Sequence, residues 1–89
     1  MAKARRAKYM TEEQYWSLTY AGRVLAGYWT DWLPKTCKKM HEAGTLLTYF
    51  QEMGDQLADL QFDLMQNGMS EDGAWEVVKE QIYALPPER

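Results

Sequence analysis

The feature that most constrains this chain lies in its middle. Leu46, Phe50, Met53, Leu57, Leu60 and Leu64 follow one another at intervals of 4, 3, 4, 3 and 4 residues. A repeat averaging 3.5 residues keeps apolar side chains on one face of an α-helix and does not fit the two-residue alternation of a strand. The run predicts a helix over residues 46–66 that packs its length along partner helices. Asn67-Gly68 ends it. Glu52, Asp55, Asp59 and Asp63 recur at 3–4 spacing away from the seam, so the same helix carries an acidic stripe. Phe62 and Met65 sit off the seam and predict a second apolar patch near its C-terminal end.

Cap residues divide the rest of the chain. Thr11 with Gln14 three residues on forms a capping box, and Met10 and Tyr15 occupy the positions of a hydrophobic staple. They open a helix over about 12–29, in which Leu18, Gly22, Leu25 and Trp29 recur at helical spacing. The small residues Ala21, Gly22, Ala26 and Gly27 allow another backbone to come close. Thr30 or Asp31 caps a second helix over about 32–43, with Pro34 in its first turn and Gly44 just past its end. Thr45 caps the third helix. Ser70 caps a fourth over about 71–85, with Glu71 and Asp72 at the positive end of its dipole and Trp75, Val78, Ile82 and Leu85 as its buried line. Pro86-Pro87 stops it.

The fold class is therefore all-α: a compact, four-helix, bundle-like single domain over residues 11–86, preceded by a flexible basic arm over 1–10. Its expected core is Leu18, Leu25, Trp29, Met40, Leu46, Phe50, Met53, Leu57, Leu60, Leu64, Trp75, Val78 and Ile82. A chain of 89 residues buries only about 60% of its unfolded surface. Four Trp and six Tyr help to fill so small a core. Not all of them can point inward. Tyr28, Trp29 and Trp32 stand at a helix junction where neighbours face different ways, so at least one of Tyr28 and Trp32 is expected at the surface as an interface anchor.

Charge is divided along the chain. Residues 1–41 carry eight Lys or Arg against three acids, and residues 42–89 carry two against ten. Such polarity bears on association rather than on fold. Lys3, Arg5, Arg6 and Lys8 are the best nucleic-acid-binding candidates, giving salt-sensitive and sequence-blind contact with phosphates, which Lys35, Lys38 and Lys39 extend. The basic start is followed by Thr11-Glu12-Glu13-Gln14 instead of an apolar run, so no secretory signal is expected, and no stretch reaches the roughly 18 apolar residues of a membrane span. The single cysteine, Cys37, fits a reducing, cytoplasmic setting.

Enzymatic chemistry finds little support. Cys37 and His41 share a helix face, but a closed zinc site needs four ligands and the chain has no second Cys or His, so no metal and no cofactor are expected. As a thiolate and base the pair lacks an orienting group and an oxyanion nest. The carboxylates of the stripe lie along one helix rather than opposed across a cleft, as glycoside hydrolysis requires. The sequence predicts a non-enzyme without catalytic residues.

Pro34, Gly44, Leu46, Tyr49, Phe50 and Glu52 stand at a spacing that resembles the central segment of the transposon-encoded TnpV family. Gly68-Met69, Ala74-Trp75-Glu76 and Leu85-Pro86 are similar to the tails of other small phage and mobile-element proteins. The resemblance covers residues 34–86, about half the chain, and rests on helix caps and core positions. It implies no activity and no catalytic residue. It does imply a setting, as an accessory protein of a mobile element in a bacterial cytoplasm. Three functions are expected from these features. The first is protein binding, most concretely inhibition of a nucleic-acid-handling defence enzyme of the anti-CRISPR kind, with Glu52, Asp55, Asp59 and Asp63 meeting a basic channel of a CRISPR effector or similar enzyme and Tyr28 or Trp32 anchoring the contact. The second is a nucleic-acid accessory of a transposase or recombinase acting through the basic arm. The third is a structural homo-oligomer that shares the seam of the third helix between copies.

Overall fold

The computed structural model describes residues 8–84. Within them the chain forms five helices and no strand: α1 (Glu12–Trp16), α2 (Tyr20–Trp32), α3 (Pro34–Glu42), α4 (Leu46–Gln66) and α5 (Glu71–Ile82). The fold is an all-α, bundle-like domain. α4 is its spine and packs chiefly against α2 and then α5, while α3 packs against α2 and α4.

The capping box at α1 is present: Thr11 Oγ1 accepts from Gln14 N at 3.0 Å, and Gln14 Oε1 accepts from Thr11 N at 3.0 Å. Met10 and Tyr15, the staple pair, are both buried. Met10 thus belongs to the packed body, and Tyr9 stacks on His41 at 4.5 Å, so the expected arm over 1–10 reaches too far. Residues 1–7 lie outside the described residues, as do Leu85 and the proline stop.

The expected first helix is two. Thr19 is extended (φ −63°, ψ 165°) and its hydroxyl accepts from Gly22 N at 3.1 Å, which restarts the helix as α2. Ser17 closes α1, donating its hydroxyl to Gln14 O. Both residues satisfy backbone groups that a continuous helix would engage, and this is what breaks it. α2 then continues to Trp32, so Thr30 and Asp31 lie inside it and cap nothing. The N-cap of α3 is Leu33, without a side-chain cap, and Pro34 fills the first position, where no N–H is needed. Thr45 also fails as a side-chain cap: its hydroxyl turns back to donate to Met40 O at 3.3 Å. Gly44 (φ +77°) and Gly68 (φ +99°) end α3 and α4 in the left-handed region. Each stop is a Schellman motif: Thr45 N donates to Met40 O and Gly44 N to His41 O, and Met69 N donates to Leu64 O and Gly68 N to Met65 O. Ser70 caps α5 through Gly73 N.

Leu18, Leu25, Trp29, Leu46, Phe50, Leu57, Val78 and Ile82 form the core as expected. Met40, Met53, Leu60, Leu64 and Trp75 are only half-buried. For Leu60 and Leu64 the reason is length. The 21 residues of α4 span about 30 Å, whereas α2, with 13, spans about 20 Å. Gly22, near the start of α2, meets Gly54, so burial fades beyond Leu57 as α4 runs past α2. The core also takes in Ala21, Ala26, Leu33, Cys37 and Ala74. α2 and α4 meet backbone to backbone at Gly22 and Gly54: a Cβ on Gly54 would stand 2.9 Å from Gly22 Cα and 2.8 Å from Thr19 Oγ1. The close approach expected of the small residues in α2 thus occurs at Gly22, against a glycine of α4.

Candidate protein-binding surfaces

Two surfaces stand out. The first is the outer face of α4. Burying Leu46, Phe50, Gly54 and Leu57 on one side turns Glu52, Asp55, Asp59 and Asp63 outward, and all four are exposed. From Glu52 to Asp63 the row rises about 16 Å. None of the four meets a cation among the described residues; the ion pair seen there joins Lys79 Nζ to Glu76 Oε2 at 3.1 Å on α5. Glu52 also borders a hollow of about 340 Å³ with Met40, Thr45 and Tyr49, where burial pushes the Tyr49 phenol above its usual pKa.

The second surface is an aromatic groove of about 450 Å³ along the outer side of α2. Tyr15 and Trp16 of α1, Tyr20, Arg23, Val24, Gly27, Tyr28, Asp31 and Trp32 of α2, and Tyr83 after α5 line it. Trp16, Tyr20, Trp32 and Tyr83 are 63%, 61%, 52% and 47% exposed, an unusual concentration of large apolar surface on so small a domain. Tyr28 packs edge-on against Tyr83, with ring centres 4.9 Å apart, and stands 6.5 Å from Trp32. The Arg23 guanidinium lies 4.9 Å from the Trp16 ring and 5.8 Å from that of Tyr20, and Nη1 donates to Leu18 O at 2.9 Å. The break between α1 and α2 therefore builds one end of the groove, because it exposes the carbonyl that fixes Arg23 and sets Trp16 over it.

The structure places Trp32 at the surface, as expected, with Tyr28 half-buried beside it. It does not join the two rings to the acidic row: no residue of α4 lines the groove. Trp16, Tyr20, Arg23, Asp31 and Tyr83 are groove residues that the sequence reading passed over. Their signal was present in Tyr20, Val24, Gly27 and Asp31, a second stripe at helical spacing on α2.

Of the basic candidates, Lys3, Arg5 and Arg6 lie outside the described residues. Lys8 is exposed, with its backbone N–H donating to Thr30 Oγ1 at 3.2 Å and its ammonium 5.3 Å from the Tyr9 ring. Lys35, Lys38 and Lys39 are exposed on α3. Cys37 is buried while His41 is exposed under Tyr9, so the two do not form a surface pair. Among the described residues no three His, Cys, Asp or Glu side chains converge as metal ligands would. No described helix is long and apolar enough to cross a membrane. Compared with protein-family models, curated proteins and solved structures, the chain shows no match.

Proposed function

We propose that this protein is a non-enzymatic binding protein that docks the acidic face of α4 on a basic surface of another protein. The observation that carries the reading is the row of Glu52, Asp55, Asp59 and Asp63, exposed along one rigid helix with no cation beside it among the described residues. A charge row of this kind speeds encounter with an oppositely charged partner and excludes like-charged ones. Rigidity matters because α4 is anchored by its buried seam, so the carboxylates need little ordering when they bind.

Basic channels that hold nucleic acid are the surfaces such a row fits best. In its most concrete form the protein is an inhibitor of a bacterial nucleic-acid-handling enzyme, of the anti-CRISPR kind, in the cytoplasm. The resemblance of residues 34–86 to TnpV and other mobile-element proteins agrees with that setting.

The test uses the whole chain as bait in a bacterial lysate with and without nuclease treatment, beside a variant carrying Glu52→Lys, Asp55→Lys, Asp59→Lys and Asp63→Lys. All four positions are exposed, so the variant should keep its helical spectrum. The expected result is retention of nucleic-acid enzymes by the native chain, weakened by salt, and their loss from the variant. The same enzymes retained by both baits would overturn the reading. Partners that disappear with nuclease would assign the binding to nucleic acid and to the basic arm.

A further inference from the structure

The groove on α2 carries a pattern that the acidic row does not explain. Arg23, Gly27 and Asp31 stand at i, i+4 and i+8, all lining the groove. The two charges are opposite in sign and lie about 6 Å along the helix on either side of the glycine. We propose that this face binds a second copy of the chain, with two α2 helices crossing antiparallel about a two-fold axis at Gly27.

Charge complementarity identifies the occupant. An isologous interface must be complementary to itself. Under a two-fold axis at Gly27, Arg23 of one copy comes opposite Asp31 of the other, and the pair is formed twice. The exposed aromatics of α2 follow the same symmetry: Tyr20 lies beyond Arg23 and Trp32 beyond Asp31, and the axis sets one against the other. Association removes from water the apolar surface that Trp16, Tyr20 and Trp32 now expose. It also supplies each charge with a partner. Asp31 meets no cation among the described residues, and Arg23 is held in position by the Leu18 carbonyl and the Trp16 ring with further donors to spare.

This dimer differs from a homo-oligomer built on the seam of α4, since that seam is covered by α2 and α5 of the same chain as far as Leu57. It also leaves the acidic row uncovered, so two rows would be displayed by one assembly. The groove is small for an interface, and the dimer is expected to be weak and concentration-dependent.

Charge reversal tests the symmetry directly. Sedimentation equilibrium of the full chain over a wide concentration range should show a reversible monomer–dimer equilibrium. Asp31→Arg, at an exposed position, and Arg23→Asp should each weaken it by about tenfold or more, because every substitution enters the interface twice. Mixing the two variants should restore association to near the native level, since each then presents the charge the other lacks. Far-UV circular dichroism and thermal melts accompany both variants, and Asp31→Arg stands alone if Arg23→Asp unfolds. A chain that stays monomeric at millimolar concentration, a dimer indifferent to Asp31→Arg, or two folded variants that fail to associate on mixing would each overturn the proposal.

Discussion

α4 and the α1–α2 segment pose the same problem, how to bury one side of a helix and expose the other, and they solve it differently. α4 does so with large side chains. Its seam of Leu, Phe and Met is continuous, its acids keep to the opposite face, and its 21 residues run without interruption. The α1–α2 segment mixes large residues with small ones. Ala21, Gly22 and Ala26 are buried beside Leu18, Leu25 and Trp29, a three-residue break at residues 17–19 redirects the chain, and Trp16, Tyr20 and Trp32 face outward. The two helices meet at one point of close approach, Gly54 of α4 on Gly22 of α2, and there both give up a side chain. Elsewhere α4 turns its acids outward, while the α1–α2 segment leaves Trp16, Tyr20 and Trp32 at the surface.

The contrast sets an order of expected effects. The largest belongs to the middle of the α4 seam. Phe50 is 1% exposed and touches the rings of Trp29 and Tyr49. Phe50→Ala should cost about 3–5 kcal/mol and leave the domain largely unfolded. Leu64→Ala, at the half-buried end of the same seam, should cost less than about 1 kcal/mol. Urea unfolding of both variants measures the difference. Equal losses would mean that the seam is buried to its end, against the burial gradient seen here.

Next comes the glycine contact at which the two regions meet. In an isolated helix Gly54→Ala would gain about 1 kcal/mol. Here the added methyl meets the Gly22 backbone and the Thr19 hydroxyl at under 3 Å, and overpacking of that kind costs about 1–3 kcal/mol. A net loss of roughly 1–2 kcal/mol is expected on chemical denaturation, where a net gain would show that α2 and α4 do not cross this closely.

The same contrast decides what could be read from the sequence. The α4 seam was legible because period and residue type agree over six positions, and the capping box at Thr11 because two side chains mark it together. The break before α2 was not read. Leu18 and Leu25 keep helical spacing straight through it, and Thr19 looks like any exposed polar residue until its hydroxyl is seen to cap Gly22. The acidic row was read correctly as one outward face, since spacing alone determines it. The groove was not, because three separate elements form its walls. Tyr83 is 63 residues from Tyr20, and no local pattern connects them. Trp29 shows the limit from the other side. Its burial was predictable from spacing, but nothing in the spacing indicates that its indole Nε1 is enclosed without an acceptor among the described residues.

The smallest effect is the most informative about the break. If α1 and α2 were one kinked helix, alanine at position 19 would favour it, and Thr19→Ala would raise stability by about 0.5 kcal/mol. With Thr19 as an N-cap, the substitution removes the acceptor for Gly22 N and should lower stability by about 1 kcal/mol. The sign alone separates the two structures. Thr19 Oγ1 is also the atom nearest to where a Gly54 Cβ would stand. Removing it frees part of the space that Gly54→Ala needs, so the two substitutions should not add: together they should cost less than the sum of the single losses by about 0.5 kcal/mol or more. Strict additivity would place the cap and the glycine contact in separate parts of the fold. Coupling would show that one threonine both restarts α2 and sets how closely it lies on α4.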